Sequence, residues 1–181
     1  MLFHASSALG LRRSPIRSAN WPADLSTVRE LFRGYRQWLA DHQDRSSGAE
    51  PRVRAGLGLV DELIANLPGA YGPPAGDVLL WSKGDAVVAC GALRELEPRV
   101  GDIKRVFVRP DYRGKEFGHP YVRALIDRAR ELGYQSLKVD TLPTMAAAIE
   151  FYQEMGFRPT AAYWPHPVAG ALFFERRLSE P

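Results

Sequence analysis

The sequence of 181 residues contains a single cysteine, Cys90. One thiol excludes an internal disulfide framework and a cysteine-based zinc site, and we predict no metal site. Because Cys90 lies in the apolar run 86–93, we expect a buried strand residue rather than a catalytic thiol. The sequence also lacks any run of about 18 apolar residues, which argues against a membrane-spanning helix and a membrane partner.

An excess of charge of one sign is also missing. The chain carries 24 basic and 21 acidic side chains, which gives a formal net charge of +3. Nucleic-acid-binding domains usually cluster their basic residues on one face, whereas here the two kinds are mixed. We therefore predict no nucleic-acid partner, although the balance remains compatible with an anionic small-molecule ligand.

No acidic residue precedes Asp24, and three arginines lie among serines in that region. This composition fits an organelle targeting segment, and it also fits a frayed terminus, residues 1–13, followed by a first strand over 14–20. We favour the second interpretation. Because the apolar core of a secretory signal is missing, we predict a cytoplasmic protein with one domain over residues 1–181.

Hydrophobic periodicity predicts the element order β-α-α-β-β-β-α-β-α-β-β. Asp24 is the predicted N-cap of the first helix, and a polar loop is expected over 41–51. Gly133 and Gly156 are expected to end the last two helices. The predicted strands cover residues 14–20, 78–81, 86–93, 103–108, 137–139, 158–164 and 171–178.

The segment 106–119, VFVRPDYRGKEFGH, runs from a predicted strand into a turn with two glycines, after which a helix opens. The backbone N–H groups of such a turn and the positive end of the helix form an anion site suited to a diphosphate. Arg113 and Lys115 add positive charge. From the glycines alone, an ordinary strand-to-helix connection is the better interpretation.

This segment resembles the acetyl-CoA-binding motif of the GNAT superfamily of N-acetyltransferases. That motif is a strand ending in hydrophobic-Val-Arg-Pro, followed by Arg/Gln-x-x-Gly-x-Gly/Ala and a helix, and Arg113 and Gly118 occupy its first and last positions. The block 151–157, FYQEMGF, is similar to the family's closing signature, aromatic-Tyr-x-x-x-Gly-Phe. Two blocks in the expected order are more specific than either alone.

The resemblance implies the acyl-CoA N-acyltransferase fold, an α/β architecture. Its central, mostly antiparallel sheet has about seven strands, is splayed between the fourth and fifth strands, and is flanked by about four helices. The implied activity is transfer of an acetyl group from acetyl-CoA to a primary amine of a small molecule or peptide by direct attack. A non-catalytic acyl-CoA-binding module is the alternative, and the last strands would offer an edge for a homodimer.

The resemblance also assigns roles to individual residues. The strand backbone at Phe107 and Val108 would pair with the pantetheine arm of the cofactor. Tyr152 would be the acid that protonates the leaving thiolate, with a packed core tyrosine as the alternative. The backbone N–H groups expected to hold the diphosphate belong to Arg113, Gly114, Lys115, Glu116, Phe117, Gly118 and His119.

The base and the acceptor pocket are less clearly indicated. Asp102 is the first candidate base, at the start of a strand where several family members carry glutamate, with a turn residue as the alternative. Glu95 and Glu97 are further candidates. Asp140 ends its strand and could face the amine, and His166 could bind substrate or be an exposed loop histidine. Five aromatic residues would either line an apolar acceptor pocket or belong to the core: Tyr35, Trp38, Tyr71, Tyr163 and Trp164.

Three positions depart from the family pattern. Glu116 stands where the family usually has glycine, and its charge would weaken diphosphate binding by about 1 kcal/mol unless the side chain turns to solvent. Pro120 falls just inside the third helix, where its missing N–H matters only if that group would face the diphosphate. Met145 replaces an asparagine with which many family members contact the cofactor.

Overall fold

The computed structural model describes residues 15–44, 51–165 and 170–178, without the side chains of 42–44, 51–56, 115 and 116. Residues 1–13 and His166 therefore lie outside the described residues. The strands are β1 (Ile16–Ser18), β2 (Asp77–Lys83), β3 (Ala86–Glu97), β4 (Val100–Val108), β5 (Ser136–Thr141), β6 (Arg158–Pro159) and β7 (Leu172–Arg177). The helices are α1 (Leu25–Asp44), α2 (Pro51–Ala65), α3 (Lys115–Glu131) and α4 (Ala146–Glu154), with 3₁₀ turns at Gly69–Tyr71 and Pro110–Tyr112. The predicted element order is confirmed. Among these helices, none is both long enough and apolar enough to cross a membrane.

The strands form one sheet in the order β1-β2-β3-β4-β5-β7-β6. Neighbouring strands are antiparallel except for β4 and β5, which run parallel. The parallel pairs begin at Val100 with Ser136 and end at Ile103 with Val139, although β4 continues to Val108. The sheet therefore opens between its fourth and fifth strands, as the resemblance predicts.

Helices cover both faces of the sheet. Because side chains alternate along a strand, Leu79 of β2 packs into the cluster under α3 and α4. Its neighbours Val78 and Leu80 pack into the other cluster, under α1 and α2. The predicted two-sided arrangement of helices is confirmed.

A β-bulge interrupts β4 halfway along its length. Lys104 lies opposite Ala92 and Phe107 opposite Cys90, so two residues of β4 face a single residue of β3. The first of them, Arg105, adopts a left-handed φ of 58°, which is uncommon for a residue with a side chain. Bulges of this kind redirect side chains and occur often beside active sites.

Cys90 is fully buried in β3, as predicted for a strand residue. Its thiol contacts the Arg105 carbonyl oxygen at 3.6 Å. Burial raises the pKa of this thiol well above its ordinary value. A buried thiol that stays protonated is a packing residue and a poor nucleophile.

The first two helices are longer than predicted. The expected loop over 41–51 is wrong at both ends, because α1 continues to Asp44 and α2 begins at Pro51. A hydrogen bond of 2.8 Å from Gln37 Nε2 to Asp41 Oδ1 spans one turn at the end of α1, and proline is favoured at a first helical position. Asp24 directly precedes α1 as predicted, but its carboxylate accepts from Asn20 N and Arg17.

Helix α3 begins earlier than the glycine pattern predicts. Gly118 is its fourth residue rather than part of the preceding turn, and a Cβ there would lie 3.0 Å from Phe151 Cε2 of α4. Pro120 is the sixth residue, so its missing N–H would have bonded the carbonyl of Glu116 within the helix. Pro120 therefore removes no donor from the first turn.

The sixth strand is shorter than the predicted run 158–164. It pairs with β7 only at Arg158 and Pro159, and one further bond of 2.9 Å links Thr160 N to the Phe173 carbonyl. Beyond it, Tyr163 and Trp164 turn their polar atoms toward Asp140. These side chains leave the sheet and bond the carboxylates of Asp102 and Asp140 instead.

Candidate active site

A cavity of about 700 Å³ lies at the opening between β4 and β5. One side, here called the α3–α4 wall, consists of the end of β4, the first turns of α3, the end of β5 and helix α4. The opposite side, here called the α1–α2 wall, consists of α1 and α2 together with Tyr71, Arg94 and Arg105. The cavity follows from the splayed sheet, because β4 has no described partner beyond Ile103 on the β5 side.

The start of α3 places a helix N-terminus at this cavity. The chain leaves β4 through a 3₁₀ turn at Pro110–Tyr112, and Gly114 is the N-cap of the helix. Arg113 donates from Nε to the Val108 carbonyl at 3.1 Å, and its guanidinium lies 5.5 Å from the centre of the Trp38 ring. The amides of a first helical turn lack intrahelical acceptors and carry partial positive charge, which suits a bound anion.

Most of the residues predicted to contact a cofactor line this cavity: Phe107, Val108, Arg113, Gly114, Phe117 and Gly118. Lys115 and Glu116 open the helix, and their side chains are outside the description. His119 lies elsewhere, on an exposed face where its Nε2 is 3.2 Å from Glu154 Oε2. As the fifth residue of α3, His119 has its N–H within the helical ladder, so we no longer expect it to donate to a ligand.

Tyr152 of α4 is on the α3–α4 wall. Its ring packs 5.6 Å from the ring of Phe157, and the residue is 8% exposed. Burial raises the pKa of the phenol above its ordinary value, and the charges of Tyr35 and Asp140 act in the same direction. The hydroxyl is therefore protonated at neutral pH and can donate a proton into the cavity.

Asp102 lies behind the cavity rather than on its surface. It is fully buried, and its Oδ2 accepts from Arg94 Nη2 at 2.8 Å and lies 3.3 Å from Lys104 Nζ. Its Oδ1 accepts from the Tyr163 hydroxyl at 3.1 Å. Burial raises the pKa of Asp102, whereas Lys104 and Arg94 oppose that shift. The alternative prediction that Asp102 is a turn residue is wrong, since Asp102 is inside β4. Its contacts are those of a buried ion pair rather than of an accessible base.

Asp140 is the carboxylate of this group that reaches the cavity. The parallel pairing ends at Ile103 and Val139, so the next residues, Lys104 and Asp140, meet across the opening and form an ion pair. The same Oδ1 accepts from the Tyr163 hydroxyl at 3.1 Å and from Trp164 Nε1 at 3.3 Å. Asp140 therefore lies at the cavity, and its predicted role toward the amine stays a prediction.

The sequence reasoning missed the cations Arg94 and Lys104. A signal for them exists, because Asp102 and Lys104 alternate on one face of an otherwise apolar strand, which is typical of a buried ion pair. The fallback bases Glu95 and Glu97 are exposed on β3, away from the cavity. Within the described ranges, no group of three or more His, Cys, Asp or Glu side chains could hold a metal ion. Of the five predicted pocket aromatics, Tyr35, Trp38, Tyr71 and Trp164 line the cavity, and Tyr163 lies behind it.

Comparison with known proteins identifies the same family as the motifs. The profile of the acetyltransferase (GNAT) family matches residues 28–157. An uncharacterized N-acetyltransferase of Schizosaccharomyces pombe is 32% identical over 123 residues, which cover 67% of this chain and 76% of the relative. The profile match includes most of the residues that line the cavity.

Solved structures share the fold at lower identity. YncA of Salmonella typhimurium, solved with its cofactor acetyl-CoA, is 19% identical with a TM-score of 0.62, covering 92% of this chain and 94% of that one. The PaiA N-acetyltransferase of Thermoplasma acidophilum, solved in complex with coenzyme A, is 13% identical with a TM-score of 0.66, covering 90% and 99%. At these sequence identities, the similarity to the two structures establishes only the fold.

Proposed function

Because the chain belongs to the GNAT family of acetyltransferases, we propose that it transfers the acetyl group of acetyl-CoA to a primary amine of a small molecule or peptide. The observation that carries this proposal is the cavity at the opening between β4 and β5, with the N-terminus of α3 and the Tyr152 phenol on one wall. A helix end suits a diphosphate, and a protonated phenol suits a thiolate leaving group.

The proposed cofactor site runs along the α3–α4 wall. The amides at the start of α3, at Gly114, Lys115 and Glu116, would hold the diphosphate. The next amide, Phe117 N, donates to the Gly114 carbonyl at 3.4 Å, and the amide of Gly118 falls within the helical ladder. The backbone at Phe107 and Val108 would bind the pantetheine arm in the manner of an added strand. Both features are main-chain groups, so the site depends on the path of the backbone more than on side-chain identity.

In the proposed reaction, the acceptor loses one proton and attacks as a neutral amine. A C–N bond forms at the thioester carbon and the nitrogen releases its second proton to water. The C–S bond breaks, and the departing thiolate takes a proton from the Tyr152 hydroxyl. Asp140 is the carboxylate we assign to the amine proton, through water, because it faces the cavity whereas Asp102 is buried behind Arg94 and Lys104. Tyr152 regains its proton from solvent.

Isothermal titration with acetyl-CoA and with CoA tests the cofactor site directly. We expect one site per chain with a Kd in the micromolar range, which would justify a screen of amines by thiol release. Absence of binding would disfavour the enzyme and also the acyl-CoA-binding module, and would indicate a GNAT-fold protein that has lost its cofactor site.

Tyr152→Phe tests the assigned acid. Removing the hydroxyl should lower kcat by about 10²- to 10⁴-fold, the usual contribution of a positioned acid, while the Kd for acetyl-CoA stays unchanged. The matched control is Tyr134→Phe, since the Tyr134 hydroxyl bonds the Ala75 carbonyl away from the cavity. Equal turnover in wild-type protein and Tyr152→Phe would remove Tyr152 from the mechanism.

Two expectations from the sequence stay predictions, a cytoplasmic location and a homodimer through the last strands. The edge strand β6 has only two residues, one of them Pro159, which lacks an N–H for pairing. A dimer built on this edge should therefore be weak. Light scattering across a dilution series measures it.

A further inference from the structure

The charged residues that line the cavity are mostly cations. Among the described residues, the cations are Arg94, Lys104, Arg105 and Arg113, and the single carboxylate is Asp140. Two of the cations are balanced, because Asp102 pairs with Arg94 and Asp140 pairs with Lys104. A third, Arg113, stands beside the start of α3.

Arg105, deeper on the α1–α2 wall, also has no balancing carboxylate among the described residues. Within the described ranges, no Asp or Glu oxygen lies within 4.0 Å of its guanidinium. The group lies 5.4 Å from the centre of the Tyr35 ring, and its Nε is buried with no hydrogen-bond acceptor in the part of the chain that the structure describes. A buried donor without a partner is costly, and so is the left-handed φ of 58° at this position, a kind of strain that clusters at functional sites.

Tyr71 supplies a second donor without an acceptor on the same wall. The residue is 1% exposed, and its hydroxyl has no hydrogen-bond partner in the described part of the chain. Burial raises the pKa of this phenol, while the charges of Arg105 and Arg94 act in the opposite direction. The hydroxyl therefore stays protonated, within electrostatic reach of both guanidiniums.

Packing holds Tyr71 in this position. Its ring meets Phe32 edge-on at 5.9 Å. The turn that follows is closed by Gly76, where a Cβ would lie 2.2 Å from the Ala70 carbonyl oxygen and 2.7 Å from the Tyr71 Cα. The hydroxyl is fixed beside the cavity before any ligand binds, as a preorganised donor should be.

We propose that the acceptor is a primary amine that also carries a carboxylate, and that Arg105 and Tyr71 bind this carboxylate with Arg94 beside them. An anionic oxygen would satisfy the Arg105 Nε and the Tyr71 hydroxyl together, through charge-assisted hydrogen bonds. This inference rests on the proposed function and deepens it by naming the chemical class of the acceptor.

The test compares α-amino acids with their α-carboxamides in the thiol-release assay, with acetyl-CoA binding measured on the same protein. Each amide keeps the amine and the side chain but lacks the negative charge. For the preferred side chain, we expect kcat/KM to be at least about tenfold higher for the acid, the discrimination typical of a lost charge-assisted contact. Arg105→Asn and Tyr71→Phe should each reduce this preference by raising the KM of the acid several-fold.

Two further readouts separate binding from folding. Asparagine tolerates a left-handed φ better than arginine, so Arg105→Asn should have an unchanged or higher Tm and an unchanged Kd for acetyl-CoA. The matched control is Arg99→Asn, because Arg99 also has a left-handed φ, of 67°, but lies in the turn between β3 and β4 outside the cavity. We expect this control to keep the preference for acids.

Equal use of acids and amides by the wild-type protein would overturn the inference, as would full retention of the preference in both variants. Transfer to neither class by protein that binds acetyl-CoA would also overturn it, while cofactor binding still stands. Failure to bind acetyl-CoA would overturn the proposed function, and the inference with it.

Discussion

The α3–α4 wall offers the proposed cofactor main-chain groups of β4 and α3, whereas the α1–α2 wall contributes the side chains of Tyr71, Arg94 and Arg105 to the cavity. The first consists largely of two continuous stretches, the end of β4 leading into α3 and the end of β5 leading into α4. The second brings together Tyr35, Tyr71, Arg94 and Arg105 from separate parts of the chain. One wall follows from local geometry, and the other depends on the whole fold.

Because of this difference, we expect some substitutions to change the affinity for the cofactor and others to change the stability of the fold. The first amides of a helix lack intrahelical acceptors in the folded protein without ligand, so a substitution near them changes ligand binding more than folding. Buried charges such as Arg94 and Asp102 are tolerated only as a pair, so a substitution there changes folding more than binding. Mutations at the start of α3 and mutations of the Arg94–Asp102 pair should therefore have opposite effects on acetyl-CoA binding and on stability.

Asp102→Asn should have the largest effect on stability. It keeps the shape of the side chain but removes the negative charge beside Arg94 and Lys104, and breaking a buried pair costs about 3 kcal/mol. The free energy of unfolding from urea titration measures this loss, and we expect the Kd for acetyl-CoA to remain unchanged.

A surface pair provides the control for that substitution. Asp127 lies 2.7 Å from Arg130 and is 57% exposed, so Asp127→Asn should cost less than about 1 kcal/mol. If Asp102→Asn instead folds as well as wild type and loses turnover by about 10²-fold or more, Asp102 is the general base, and our assignment of Asp140 fails.

Gly76→Ala should have the next largest effect. The new Cβ would meet the Ala70 carbonyl oxygen at 2.2 Å, and backbone cannot move aside as a flexible side chain can, so we expect a loss of about 1–3 kcal/mol. The turn that carries Tyr71 would shift, and the Kd for acetyl-CoA should again be unaffected. Urea titration and calorimetry measure the two quantities.

Gly58→Ala is the matched control. Gly58 is in the interior of α2, and a Cβ there meets nothing within 4 Å. Alanine is favoured over glycine in a helix by about 0.5–1 kcal/mol, so this variant should be more stable than wild type. Similar losses in the two variants would mean that the close approach at Gly76 is not what fixes the turn.

The contrast between the walls also explains what the sequence could predict. The cofactor turn and Tyr152 lie in short motifs, and the opening of the sheet follows from the family that those motifs indicate. The pairing of Arg94 with Asp102 depends on the register of β3 against β4, which no local pattern specifies. The end of β6 at Pro159 was missed for the same reason, because Tyr163 bonds carboxylates that are distant in sequence.

Glu116→Gly should have the smallest effect and the opposite pattern. Glycine in the first turn of α3 costs about 0.5–1 kcal/mol of stability. Removal of a negative charge beside the proposed diphosphate site should lower the Kd for acetyl-CoA several-fold, which corresponds to about 1 kcal/mol. Calorimetry at low and high salt measures this gain, which should shrink as salt screens the charge.

Lys115→Gly has the same backbone cost at the neighbouring helical position but removes a positive charge, so it should weaken binding. Glu116→Gln separates charge from backbone, because it keeps a side chain and should retain most of the gain. If both changes at Glu116 leave the Kd unaltered, the carboxylate does not act on the diphosphate. The affinity of the α3–α4 wall for acetyl-CoA would then depend on its main-chain groups alone. The difference from the α1–α2 wall, which acts through side chains, would be larger than we propose.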